Sequence, residues 1–90
     1  MLFRSAVLEV SVVSADQEVW SGQAKQLVAR TTEGEIGILP GHEPVLAILA
    51  AGEVRVTETS GTVVHATAED GFLSVENNTV TVVARNASIV

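Results

Sequence analysis

The chain has no cysteine and no tyrosine, and only one tryptophan, one lysine and two prolines among its 90 residues. Each shortage excludes something. Without cysteine there is no disulfide staple and no thiolate chemistry, and a cytoplasmic home fits. Aromatic residues make up 3% of the chain, which removes the stacking platforms used by binders of single-stranded nucleic acid. Five Lys and Arg against eleven Asp and Glu give a net charge of −6. Such a chain repels a phosphate backbone and the bare face of an anionic membrane. No apolar run approaches the roughly 20 residues of a membrane helix, and "MLFRSAV" is too short for the apolar region of a signal peptide. Neither nucleic acid nor direct membrane insertion is expected.

What is present is mostly Val, Ala, Leu and Ile, within an apolar fraction of 47%. That argues against disorder. Ninety residues make one domain, 1–90. A chain this short buries only about 60% of its unfolded surface, so its stability margin is thin. "VLEVSVVS" alternates, with Leu8, Val10 and Val12 on one side and Glu9 and Ser11 on the other, as in a half-buried strand. "ADQ" is a turn, "EVWSG" a short strand closed by Ser21-Gly22, and "AKQLVART" a further strand. "VLAILAAG" is apolar throughout. A helix between Pro44 and Gly52 is open, but about eight residues favour a strand. "EVRVTE" turns Val54 and Val56 inward. "TSG" and "AEDG" read as turns around the strand "TVVHAT". "FLSVE" and "TVTVVA" form a hairpin across Asn77-Asn78, because Asn tolerates the left-handed backbone of tight turns. About eight to ten short strands, with a turn signal every 8–12 residues, predict an all-β sandwich or barrel. Residues 1–6 are expected to fray.

Both prolines and one of the two histidines fall in "EGEIGILPGHEP", residues Glu33–Pro44. Chemistry accounts poorly for the segment. His42-Glu43 are neighbours, and neighbours on a strand face opposite ways. A metal site joining His42, His65 and Asp70 would be a weak match. There is no phosphate-binding "GxxxxGK[ST]" and no "GxSxG" elbow. Lys25 reads as mid-strand rather than as the hairpin-tip lysine of a lipoyl or biotin carrier. His65 reads as a strand residue with a satisfied ring, and Trp20 as a cap on one end of the core. As a plain loop, Gly34, Gly37 and Gly41 would allow positive φ, and Pro40 and Pro44 would stiffen it. As a docking loop, the same stiffness lowers the entropy cost of association. A small-ligand module or enzyme using His42 and Glu43 is the alternative, and a concave pocket with convergent polar groups would favour it. An exposed apolar patch would favour docking.

"EGEIGILPGHEPVLA" resembles the signature segment of the epsilon-subunit family of F-type ATP synthases. "LEVSVVSADQEVWSGQAKQLVART" is similar to that family's opening hairpins and "EDGFLSVENNTVTVVARNA" to its closing hairpin, so the resemblance runs from about Leu8 to Ala87. It implies a flattened antiparallel β-sandwich of about ten short strands. It implies a non-catalytic rotor subunit of the central stalk, with no cofactor and no small-molecule substrate, peripheral on the cytoplasmic face of the bacterial plasma membrane. The implied partners are the gamma subunit and the c-ring. By position, Glu33, Gly34 and Glu35 would face the c-ring, while Pro40, Gly41, His42 and Ser14 would face gamma. The chain departs from the pattern in three places. Asp70-Gly71 stands where the family often has Gly-Gly, "MLFRSA" does not match the usual start, and Val90 falls where a helical hairpin usually begins.

Overall fold

The computed structural model describes residues 7–15 and 17–90. The fraying expected of residues 1–6, and Asp16 in the first turn, lie outside the described residues. The described chain is all β. Its seven strands are β1 (Leu8–Ser14), β2 (Gln17–Thr31), β3 (Gly34–Ile38), β4 (Val45–Ile48), β5 (Gly52–Glu58), β6 (Val63–Glu76) and β7 (Thr79–Ile89).

Several boundaries differ from those read in the sequence, and the difference explains the strand number. Ser21-Gly22 and "AEDG" are not turns. The chain runs through both as the single long strands β2 and β6. The first half of β2 pairs with β1, and the second half pairs with β3 and β5. The first half of β6 pairs with β5, and its second half pairs with β4. β7 follows β6 along its length and pairs with β1 only through Thr79–Val83. Three strands therefore cross from one layer to the other. Seven strands thus supply ten strand segments, five to a layer. One layer holds β3, the end of β2, β5, the start of β6 and the end of β7. The other holds the start of β2, β1, the start of β7, the end of β6 and β4. The β1–β7 pair is parallel and the other strand pairs are antiparallel.

Strands that switch layers need a local irregularity at the corner. In β2 it is a register shift between Ala24 and Gln26 that leaves Lys25 unpaired with β5. Lys25 is indeed mid-strand. In β6 it is Asp70-Gly71. Asp70 adopts φ 64°, and a Cβ on Gly71 would lie 1.8 Å from the carbonyl oxygen of Val83. Only glycine permits this approach of two backbones. The register of β6 on β7 is the same on both sides of the corner, from Glu69 opposite Asn86 to Gly71 opposite Ala84.

The expected alternation holds. Leu8, Val10, Val12, Val54 and Val56 are buried between the layers with Leu27, Ala29, Ile38, Leu73, Val75, Val80 and Val82. Trp20 packs against the edge of this core, and its ring lies against Gly22, where a Cβ would sit 3.1 Å from the ring carbons. The stretch 45–51 begins as a strand and leaves it at Leu49. β4 is too short for a helix and finds its hydrogen bonds on β6.

Candidate functional site

The segment 33–44 is not one long loop. Ile36 and Ile38 alternate, so the chain folds back on β2 as β3, placing Ile36 opposite Ala29 and Ile38 opposite Leu27. This divides the segment into a hairpin tip at 32–35 and a turn at 39–44. The tip is ordered by one side chain. Thr31 is buried, accepts a hydrogen bond from the Glu33 N–H at 3.1 Å and donates its own hydroxyl to the Gly34 carbonyl at 2.7 Å. Gly34 has φ 119°, a conformation that leaves its two flanking glutamates exposed. Gly37, by contrast, has no positive φ and open space where a Cβ would go, so the freedom expected there is not used.

The second half turns on Leu39–His42, closed by the His42 N–H to the Leu39 carbonyl at 3.1 Å. Gly41 takes φ 89° and donates its N–H to Asn78 Oδ1 at 2.8 Å. The His42 ring turns back on its own chain. Its Nδ1 lies 2.7 Å from the carbonyl oxygen of Glu43. Glu43 itself is exposed. Among the described residues no other side-chain polar group is hydrogen-bonded to the pair. His65 is bound by Glu53 at 2.7 Å and Asp70 by Arg85 at 3.7 Å, so the three residues of the weak metal match are each engaged elsewhere.

Three places therefore receive the seven residues singled out by sequence. Glu33, Gly34 and Glu35 stand at one end of β3; Pro40, Gly41 and His42 lie beyond its other end. β4 runs back between them. The Ile48 carbonyl accepts the Thr32 N–H at 3.0 Å, which fastens the end of β4 to the base of the acidic tip. Ser14 is apart from both. It closes β1, whose first residues adjoin Asn78, so roughly 20 Å of strand separates it from the His42 turn. Its neighbours around a shallow concavity include Gly52, Thr67 and Arg85–Ser88.

A larger feature was not singled out in the sequence. On the outward side of the β4 layer, Ile48 pairs with Phe72, Phe72 with Val83, and Val83 with Val13. Paired residues share a face, so these four form an apolar row across four strands, roughly 14 Å wide. Leu46 extends it along β4. Leu46, Ile48 and Phe72 are 73%, 61% and 41% exposed. The signal was present as broken alternation: Val12-Val13, Phe72-Leu73 and Val82-Val83 each put two apolar neighbours on opposite faces. The outward side of the other layer carries a charged cluster. Arg55 reaches Glu35 and Glu53, each at 3.6 Å, and Glu53 holds His65.

Residues 7–90 match the family model for the ATP synthase delta/epsilon chain, β-sandwich domain. The ATP synthase epsilon chain of Micrococcus luteus is 49% identical over 84 residues, covering 93% of this chain and 92% of that protein. The Streptomyces coelicolor epsilon chain is 44% identical over 85 residues, covering 94% of this chain and 68% of its own length. Among solved structures, a chain of the Euglena gracilis mitochondrial ATP synthase, in an OSCP/F1/c-ring assembly, superposes with a TM-score of 0.88 at 25% identity. The match covers 94% of this chain and 54% of that one, so this chain spans about half the Euglena protein. A chain from the central stalk and c-ring of the Tetrahymena thermophila enzyme shares the fold, with a TM-score of 0.71 at 17% identity, over 89% of this chain and 64% of that one.

Proposed function

The chain belongs to the ATP synthase delta/epsilon family, and on that premise we propose that it is a non-catalytic rotor subunit that fixes the gamma subunit to the c-ring. Torque from proton-driven rotation then reaches the catalytic head through a joint of which this sandwich is one part. The observation that carries the reading is the apolar row of Ile48, Phe72, Val83 and Val13, extended by Leu46. A contiguous apolar row on the surface of a small sandwich is costly to leave in water, and apolar patches of this kind mark partner surfaces. Gamma is the partner assigned to it. The Pro40–His42 turn adjoins the start of β4 and extends the same contact. Ser14, at the far end of β1, is assigned to the margin of the gamma contact.

The acidic tip is assigned to the c-ring. Glu33 and Glu35 project beyond Gly34 from a turn held by Thr31. Exposed charge pairs contribute only about 0.2–1 kcal/mol each, so this end orients the joint while the apolar face holds it. The bacterial relatives support a peripheral location on the cytoplasmic face of the plasma membrane. The assignment includes no cofactor, no small-molecule substrate and no insertion into the bilayer.

The test is direct titration with purified gamma subunit. Saturable binding is expected, and the double substitution Leu46→Asp with Ile48→Asp should abolish it while the far-ultraviolet circular dichroism of the sandwich is retained. Unimpaired binding by that variant would overturn the reading.

A further inference from the structure

The β6–β7 hairpin closes on Asn77-Asn78, with Glu76 opposite Thr79. Both turn residues have positive φ, 50° and 62°, as primed two-residue turns require. For the turn alone, glycine is the better residue at the second position, since it adopts positive φ without steric cost. Position 78 instead carries a side chain, and that side chain has a specific contact. Asn78 Oδ1 accepts the Gly41 N–H at 2.8 Å, linking residues 37 apart in sequence. The main-chain carbonyl of Asn78 accepts the Glu9 N–H at 2.8 Å, fixing the same residue to the start of β1. Within the 39–42 turn, the His42 N–H bond to Leu39 closes the turn on itself but does not attach it to the sandwich. Pro40 has no N–H to contribute.

We propose that Asn78 is a positioning residue for partner docking. By anchoring Gly41 it presets where His42 stands, so that less freedom is lost when gamma binds. It acts through the turn, from a different hairpin, and is not itself a contact. The proposal rests on the reading of the Pro40–His42 turn as a gamma contact.

Three variants of the full chain test it: Asn78→Gly, Asn78→Asp and His42→Glu. Glycine keeps the backbone turn and removes the acceptor, while aspartate keeps an acceptor oxygen. In Asn78→Gly, solvent exchange of the Gly41 amide, read by NMR, should quicken by about two- to tenfold, the range expected for losing one hydrogen bond. Affinity for gamma should fall by a similar factor, with the melting temperature unchanged or raised. Asn78→Asp should restore both the slow exchange and the affinity. Should Asn78→Gly bind gamma like the parent while His42→Glu binds weakly, Asn78 does not position the turn. A melting temperature that drops along with the affinity would make Asn78 a fold residue and overturn the proposal. If His42→Glu itself binds normally, the docking reading of the turn has failed, and the proposal falls with it for that separate reason.

Discussion

Across the β4 layer one outward row reads Ile48, Phe72, Val83 and Val13, beside a row of Leu46, Ser74, Thr81 and Ser11; across the other layer one such row reads Gly37, Val28, Arg55 and His65. Both faces are built by the same alternation, and the long strands β2, β6 and β7 contribute to both layers. Both turn their backs on one core. On the second face the exposed apolar Val63 stands in line with Thr57 and Gln26, ion pairs link Arg55 to Glu35 and Glu53, and Glu53 is hydrogen-bonded to His65. That is the ordinary design of a sheet with one side in water. The first face departs from it. Lone exposed apolar residues need no explanation, but a contiguous row does. The contrast within one small molecule points to the proposed partner surface better than either face alone, because the two layers share one core and one stability and differ in their outward residues.

The Asp70-Gly71 corner gives β6 and β7 a place in both layers. Gly71→Ala would set a Cβ 1.8 Å from the Val83 carbonyl oxygen, against backbone that has no rotamer to move. The expected loss is about 3 kcal/mol, the upper end of overpacking costs, which is a large part of a small domain's stability. Urea unfolding measures it, and a change below about 1 kcal/mol would show that the corner can relax.

The faces themselves are compared by matched truncations. Phe72→Ala on the apolar row should weaken gamma binding by about thirtyfold, the cost of removing one aromatic anchor. Val63→Ala on the polar face should leave affinity unchanged. Equal effects, read by titration calorimetry, would remove the distinction between the faces.

The two glycines of β3 make different demands on the backbone beside the acidic tip. Gly34→Val forces a β-branched residue into φ 119° and should cost about 1–3 kcal/mol. Gly37→Val meets open space and an extended backbone, and should leave the melting temperature unchanged or slightly raised. Thermal scans of the pair settle it, and a Gly37 variant as unstable as the Gly34 one would contradict the strand assignment.

Charge changes come last in size. Glu33→Lys with Glu35→Lys should shift stability by no more than about 0.5–1 kcal/mol, since Glu35 loses only an exposed pair with Arg55. The same variant should weaken attachment to c-ring vesicles at low salt, with the deficit shrinking as salt screens it. Parent-like coupling at low salt would take the tip away from the ring. On the polar face, Glu53→Gln removes the partner of both Arg55 and His65. It should alter stability by less than about 1 kcal/mol and gamma affinity not at all. A measurable loss of affinity would mean that this face also meets a partner.

Local rules acting over two or three residues were legible in the sequence. The period-2 alternation named Leu8, Val10, Val12, Val54 and Val56 as inward, and all are buried. The Asn77-Asn78 turn was visible because few residues accept positive φ, and both have it. The crowd of glycine and proline at 33–44 marked a special segment, and its resemblance to the epsilon-subunit family agreed with the family match over residues 7–90. Which layer each half of β2, β6 and β7 joins was decided only by the tertiary structure. A corner and a turn look alike in sequence, since both use glycine and small polar residues, and only the partner strand distinguishes them. The same holds for Gly34 and Gly37, identical residues of which one needs its freedom and one does not. It holds most for the apolar row. Ile48, Phe72, Val83 and Val13 come from four separate strands. Ile48 and Phe72 are exposed and Val83 and Val13 half-buried, none unusual alone, and hydrogen-bonded register across the sheet is what makes them one surface.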